Sequence, residues 1–147
     1  MSELRELYQQ VILDHNRKPR NFRKIADANR TAEGHNPLCG DRITVELTVD
    51  DGIVKDVAFQ GAGCAISRAA ASMMTASVMG KPEREVNALF DRVHAMLTGA
   101  NGPAADIGKL AVFAGVREFP SRIKCATLAW HTLQAALHGA TGPVSTE

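Results

Sequence analysis

The chain has 147 residues, of which 45% are hydrophobic and 22% are charged. This length and balance predict a single globular domain over residues 1–147. Lys and Arg total 17 against 16 Asp and Glu, a net charge of +1, so bulk charge gives no basis for a nucleic-acid partner. No apolar run is as long as a membrane span, and the amphipathic, charged N-terminus lacks an apolar signal-peptide core. We therefore expect a cytoplasmic protein that does not bind membranes.

The first predicted element is a helix over residues 3–14, because apolar residues recur there at three- and four-residue steps and form one stripe. These residues are Leu4, Leu7, Tyr8, Val11 and Ile12. The segment 22–38 is polar and irregular, and it includes Gly34 and Pro37. It predicts a loop with at most one short edge strand.

The next segment predicts a β-hairpin. Apolar residues alternate with polar ones over 43–49, which is typical of a half-buried strand. Asp50-Asp51-Gly52 is a hairpin turn signal, and 53–59 supplies the returning strand. An antiparallel hairpin brings the residue before its first strand close to the residue after its second.

Helices are predicted to follow the hairpin. The segment 64–79 is rich in Ala, Ser and Met, which favour helix and close packing. Two further helices are predicted over 82–98 and 122–138, with a short one over 110–116. The tail 140–147 is predicted to be disordered.

The three cysteines, Cys39, Cys64 and Cys125, are widely spaced, and no two form a CxxC pair. Spread cysteines in a reducing compartment are more often ligands or reactive thiols than disulfide partners. The hairpin places Cys39 and Asp41, before its first strand, near Cys64, which follows its second strand. We therefore expect Cys39, Asp41, Cys64 and Cys125 to converge on one site.

These four residues form a candidate metal-binding set. Cys64 lies at the start of one predicted helix and Cys125 in the first turn of another, where the helix dipole favours a thiolate. Three thiolates and one carboxylate supply the four ligands of tetrahedral zinc, and thiolates also hold iron–sulfur clusters. The alternatives are three unrelated buried cysteines and a turn or capping role for Asp41. His35, four residues before Cys39, is a candidate neighbour of the site.

Three motifs carry a resemblance to a known family. They are Asn36-Pro37-Leu38-Cys39-Gly40-Asp41, then Gly61-Ala62-Gly63-Cys64-Ala65-Ile66-Ser67, then Arg122-Ile123-Lys124-Cys125-Ala126-Thr127-Leu128-Ala129-Trp130. In this order they resemble the U-type iron–sulfur assembly proteins, which include IscU and the N-terminal part of NifU. The resemblance covers nearly the whole chain.

Two departures from the IscU pattern resemble the SufU branch of this family. Lys124 stands where IscU scaffolds have a histidine, and the stretch between Cys64 and Cys125 is longer. The resemblance implies a zinc-dependent sulfurtransferase with zinc on residues matching Cys39, Asp41, Cys64 and Cys125. It implies that Cys39 accepts persulfide sulfur from a SufS-type cysteine desulfurase, for transfer to the SUF cluster-assembly proteins. A desulfurase histidine is expected to enter the zinc site and release that thiolate.

The fold that the resemblance implies is α+β, with a small antiparallel sheet of about three strands and helices packed on one face, as in SufE- and NifU-like proteins. The predicted hairpin followed by helices agrees with it. Two other functions stay open. One is an iron–sulfur cluster scaffold of the IscU type, for which the same ligands serve. The other is a binding module with a purely structural zinc, which would unfold when the metal is removed.

Overall fold

The computed structural model describes residues 2–37, 40–98, 110, 113, 116, 120–139 and 144–145. The elements in these residues are α1 (Ser2–Arg17), β1 (Arg30–Asn36), β2 (Asp41–Asp50), β3 (Ile53–Ala62), α2 (Ala65–Val78), α3 (Glu83–Thr98), α4 (Pro120–Leu137) and β4 (Val144–Ser145). The strands β1, β2 and β3 form an antiparallel sheet, and the helices cover it. The predicted α+β class is confirmed.

The sheet has the strand order β3-β2-β1-β4, with β2 antiparallel to both β1 and β3. Along β2, every second residue is buried, as the alternation of the sequence predicted; these residues are Asp41, Ile43, Val45, Leu47 and Val49. Asp51 and Gly52 form the turn to β3 with φ of 55° and 74°. Two successive positive φ values are the requirement of a type I′ hairpin turn. The predicted hairpin is confirmed, with strands longer than expected.

The strand β1 corrects the prediction of a loop with at most one short edge strand over 22–38. It pairs with β2 along its whole length, from Arg30 opposite Leu47 to Asn36 opposite Asp41. The reason is that its inward positions are Ala32, Gly34 and Asn36 rather than large apolar residues, so no strand pattern is visible in the sequence.

Close packing of α4 explains these small inward residues. A Cβ atom on Gly34 would collide with the Thr132 hydroxyl on α4, and it would lie 3.0 Å from a Leu128 methyl carbon. Glycine at this position therefore lets α4 approach the sheet, at the expense of the β-branched residues that usually mark a strand.

Two helices lie against the sheet and two lie outside them. The helix α4 packs on β1 and β2, α2 packs beside it on β3, α1 packs on α2, and α3 packs on α4. The largest buried side chains of the core are Trp130, Leu47, Met74, Met96, Leu97, Leu110, Leu128 and Leu133. Among the described residues, no helix combines the length and hydrophobicity needed to cross a membrane.

Two predicted segments lie mainly outside the described residues. Of the predicted helix over 110–116, the structure describes Leu110, Phe113 and Val116, which are all buried. Of the predicted disordered tail over 140–147, it describes Val144–Ser145, which pair in parallel with Gly34 and His35 of β1 as β4.

Candidate metal centre

A cluster of metal-ligating side chains lies where β2 begins, α2 begins and α4 crosses the sheet. Asp41, Cys64 and Cys125 each contribute one donor atom, and these three atoms lie within 4.8 Å of one another. Within the described residues, no other group of three or more His, Cys, Asp or Glu side chains converges in this way. The structure therefore brings together three of the four residues that the sequence predicted for the site.

Asp41 is the first residue of β2, and it is 1% exposed. Its Oδ1 atom accepts the backbone N–H of Cys64 at 3.0 Å, and its Oδ2 atom lies 3.9 Å from the Cys64 Sγ atom. One carboxylate oxygen is thus held by the backbone while the other is directed at the thiols. Gly63 permits this contact, because a Cβ atom there would lie 2.9 Å from Oδ1.

Cys64 is the N-cap residue of α2, with extended backbone geometry. Its Sγ atom accepts the backbone N–H of Ser67 at 3.4 Å, as a capping oxygen would. The N-terminus of a helix stabilises negative charge through its unpaired amides and dipole, so this position favours the thiolate. The predicted placement of Cys64 at the start of a helix is confirmed.

Cys125 is 0% exposed and lies on α4. The prediction that it occupies the first turn is wrong, because α4 begins at Pro120 and Cys125 falls in the second turn. The dipole effect decays within the first turn, so it is weaker here. A side chain supplies a donor instead: the amide Nδ2 of Asn36 donates to the Cys125 Sγ atom at 3.8 Å.

Cys39 lies outside the described residues, and its place in the site stays a prediction. The residues on either side of its loop are described: the Gly40 N–H donates to the Asn36 carbonyl at 2.9 Å, and Asn36 pairs with Asp41 across the sheet. Cys39 precedes Asp41 by two residues in the chain.

The site neighbour that the sequence analysis missed is Asn36. The sequence suggested His35 as this neighbour, but successive residues of a strand face opposite sides of the sheet. Asn36 is fully buried on the side of Asp41, whereas His35 is on the other face. A predicted strand that ends opposite Asp41 would have identified Asn36 as its neighbour. Because the segment 22–38 was predicted mainly as a loop, this pairing was not expected.

The donor set fits zinc. Zn–S bonds of about 2.3 Å and Zn–O bonds of about 2.0 Å give donor–donor separations of roughly 3.5–3.8 Å in a tetrahedron. The 3.9 Å between Cys64 Sγ and Asp41 Oδ2 is close to this, and the 4.8 Å limit requires a small contraction. Thiolates select zinc or iron over magnesium and calcium. Two thiolates and a carboxylate leave one position of a tetrahedron for a fourth ligand.

Two thiols and a carboxylate converge in this α+β domain, and such a donor set is suited to a soft metal ion such as zinc or iron. The family described as the NifU-like N terminal domain matches residues 7–139. The chain therefore belongs to this family, and the resemblance found in the three motifs is confirmed.

Relatives in the family carry two kinds of name. The Streptococcus pyogenes iron–sulfur cluster assembly scaffold protein IscU is 41% identical over 138 residues, which is 93% of this chain and 86% of the relative. The Bacillus subtilis zinc-dependent sulfurtransferase SufU is 40% identical over 134 residues, which is 90% of each protein.

Solved structures agree with these sequence matches. A Fervidobacterium islandicum protein, described as a candidate iron–sulfur cluster assembly scaffold for the SUF system, has a TM-score of 0.83 and 33% identity. It covers 87% of this chain and 94% of its own. An N-terminal NifU-like protein from Brucella abortus has a TM-score of 0.81 and 26% identity, covering 89% of this chain and 92% of its own.

Proposed function

We propose that this protein is an iron–sulfur cluster assembly protein that acts as a zinc-dependent sulfur acceptor. It takes persulfide sulfur from a SufS-type cysteine desulfurase and passes it to the SUF cluster-assembly proteins. The observation that carries this proposal is the convergence of Asp41, Cys64 and Cys125 within 4.8 Å, with Cys39 two residues before Asp41 in the chain. The zinc-dependent sulfurtransferase name of the Bacillus subtilis relative supports it.

The ligands in this proposal are Cys39, Asp41, Cys64 and Cys125, and the sulfur acceptor is Cys39. Zinc, when bound, keeps its thiolate ligands deprotonated. The Cys39 thiolate attacks the outer sulfur of the desulfurase persulfide, and a new S–S bond forms at Cys39. The S–S bond of the donor breaks, and the desulfurase cysteine leaves as a thiolate, so no external oxidant or reductant is required.

An iron–sulfur scaffold of the IscU type is the second candidate, and the Streptococcus pyogenes relative supports it. The same thiolates would hold a cluster. Lys124 favours the sulfur acceptor. In the IscU pattern that the chain resembles, a histidine stands at this position. A purely structural zinc is less well supported, because a chain of this length with an extensive apolar core, including Trp130 and Leu133, should not need a metal to fold.

The first prediction concerns alanine release from cysteine by a SufS-type desulfurase, measured without iron. We expect the zinc-loaded protein to raise turnover severalfold, and the substitution Cys39→Ala to abolish the rise, since the acceptor sulfur is removed. Mass spectrometry of the wild-type protein should find one added sulfur on the peptide containing Cys39. The control is Lys55→Ala at an exposed position of β3, which should stimulate like wild type.

Two outcomes would count against this function. Normal stimulation by the Cys39→Ala protein would exclude Cys39 as the acceptor. No stimulation by wild type, together with a stable cluster after anaerobic incubation with iron and sulfide, would favour the scaffold function.

The second prediction is that Asp41→Ala weakens zinc binding by more than about tenfold, since even residues that only orient a ligand cost 10–100-fold when changed. Competition with a chromogenic chelator measures the affinity. Asp50→Ala is the matched control, because Asp50 is the exposed last residue of the same strand. Equal zinc affinity in the Asp41→Ala protein and wild type would exclude Asp41 as a ligand.

A further inference from the structure

We propose that Asn36 is a positioning residue that holds Cys125 as a permanent thiolate ligand of the metal centre. This inference rests on the proposed metal site. Its basis is the hydrogen bond from Asn36 Nδ2 to Cys125 Sγ at 3.8 Å, between two side chains that are each 0% exposed.

The environment of Cys125 explains why a donor is needed there. A buried thiolate has no water to solvate its charge, and an uncompensated buried charge is costly. Cys64 receives a backbone N–H from Ser67 at the start of α2, whereas Cys125, in the second turn of α4, lies beyond the reach of such a cap. The Asn36 amide donates a hydrogen bond to the Cys125 sulfur instead. Because the amide is neutral, it brings no second charge into the core.

The hydrogen bond also lowers the nucleophilicity of the Cys125 sulfur. A thiolate that accepts an N–H bond carries less charge density, and it is a poorer nucleophile than one that does not. Cys64 and Cys125 each accept such a bond. These bonds make both sulfurs weaker nucleophiles, so both are suited to remain on the metal.

Asn36 is connected to more of the site than Cys125 alone. It pairs with Asp41 across the sheet, and its carbonyl accepts the N–H of Gly40. Asn36 thus contacts both parts of the site: Gly40 and Asp41 at the start of β2, and Cys125 on α4.

The test compares Asn36→Leu with Asn29→Leu in the full-length protein. Leucine has the same branched shape as asparagine, although it is bulkier, and it donates no hydrogen bond. Asn29 is the matched control, since its side chain bonds both the N–H and the carbonyl of Val49, at the opposite end of the β1–β2 pair. The measurements are zinc affinity by chelator competition and the thiolate-to-cobalt charge-transfer band of the protein loaded with Co²⁺.

We expect Asn36→Leu to weaken zinc binding by about 10–100-fold, the usual cost of losing a partner of a metal ligand. Its charge-transfer band should move to lower energy, because the sulfur lone pair loses the N–H bond. Asn29→Leu should lower the melting temperature and leave both measurements at wild-type values. If Asn36→Leu does not fold, Asn36→Ala removes the donor without adding bulk and is expected to move the band in the same direction.

A band that stays in place in the Asn36 variants overturns the inference, and so does an equal loss of zinc affinity in the Asn36 and Asn29 variants. The proposed function fails separately. A wild-type protein that shows the thiolate band but does not stimulate the desulfurase would exclude the sulfur acceptor and leave the role of Asn36 standing.

Discussion

The carboxylate of Asp41 has little room to move. Its Oδ1 atom accepts the Cys64 N–H at 3.0 Å, and the missing side chain of Gly63 leaves room for it. A Cβ atom at Gly63 would be 2.9 Å from Oδ1 and 3.1 Å from the Ser67 hydroxyl. The orientation of one proposed metal ligand therefore depends on a residue that has no donor atom of its own in the site.

We expect Gly63→Ala to weaken zinc binding by roughly tenfold, because the added methyl group must displace the Asp41 carboxylate. The free energy of unfolding of the metal-free protein should change little. Gly80→Ala is the control, since Gly80 has a φ of 82° and open space around it. That variant should lose about 1–2 kcal/mol of stability through backbone strain and keep its zinc affinity. Unaltered zinc affinity in Gly63→Ala would show that Asp41 has room to move.

At the scale of secondary-structure elements, the position of Cys125 depends on how closely α4 approaches β1. Gly34 of β1 lies under Thr132 and Leu128 of α4, and the Thr132 hydroxyl bonds the Leu128 carbonyl at 2.7 Å. Cys125 precedes Leu128 on the same helix by about one turn. A change that lifts α4 from the sheet therefore also moves a sulfur of the site.

Gly34→Ala should cost about 1–3 kcal/mol of unfolding free energy, the usual cost of overpacking a core. Urea denaturation of the metal-free protein measures it. In a Thr132→Ala background the same change should cost less, because the hydroxyl that the new methyl group meets is gone. Additive losses in this double-mutant cycle would show that the two residues are not coupled.

Features that depend on neighbouring residues could be predicted from the sequence, whereas features that depend on distant contacts could not. The hairpin and the capping position of Cys64 were predicted because alternation and the turn residues act locally. The strand β1 was predicted only as one short edge strand at most, because its inward residues are small where α4, about a hundred residues later in the chain, packs on them. The neighbour Asn36 was missed for the same reason, since its place depends on pairing with Asp41 and on packing against Cys125 of α4.

At the scale of the whole molecule, the outer helix α3 is joined to α4 by a group of rings. His131 on α4 has its ring centre 5.5 Å from that of Phe90 and 5.7 Å from that of His94, both on α3. Burial lowers the pKa of His131 below its usual value, and the nearby His94 lowers it further. The folded protein therefore favours the neutral imidazole.

This pKa shift predicts that stability falls on mild acidification. The unfolded chain binds a proton at His131 near pH 6.5, whereas the folded chain binds it at a lower pH, so the unfolded state gains protons first. Unfolding free energy should be highest above this value and decrease as the pH falls below it, until the folded His131 also titrates. His131→Phe should reduce this slope in urea titrations between about pH 7.5 and 5.5. Gln134→Leu, a change at a non-titrating position of α4, should keep it, and an unchanged slope in His131→Phe would contradict the assignment.

The separation of the site residues along the chain sets an order of events during synthesis. Asp41 and Cys64 come from the first half of the sequence, but Cys125 comes from α4, whose packing also completes the core. A nascent chain on the ribosome therefore presents an incomplete ligand set until α4 has emerged and docked. In the proposed metal site, full metal capture would therefore follow the docking of α4, and a ribosome-bound chain truncated before α4 would have an open and exchangeable site.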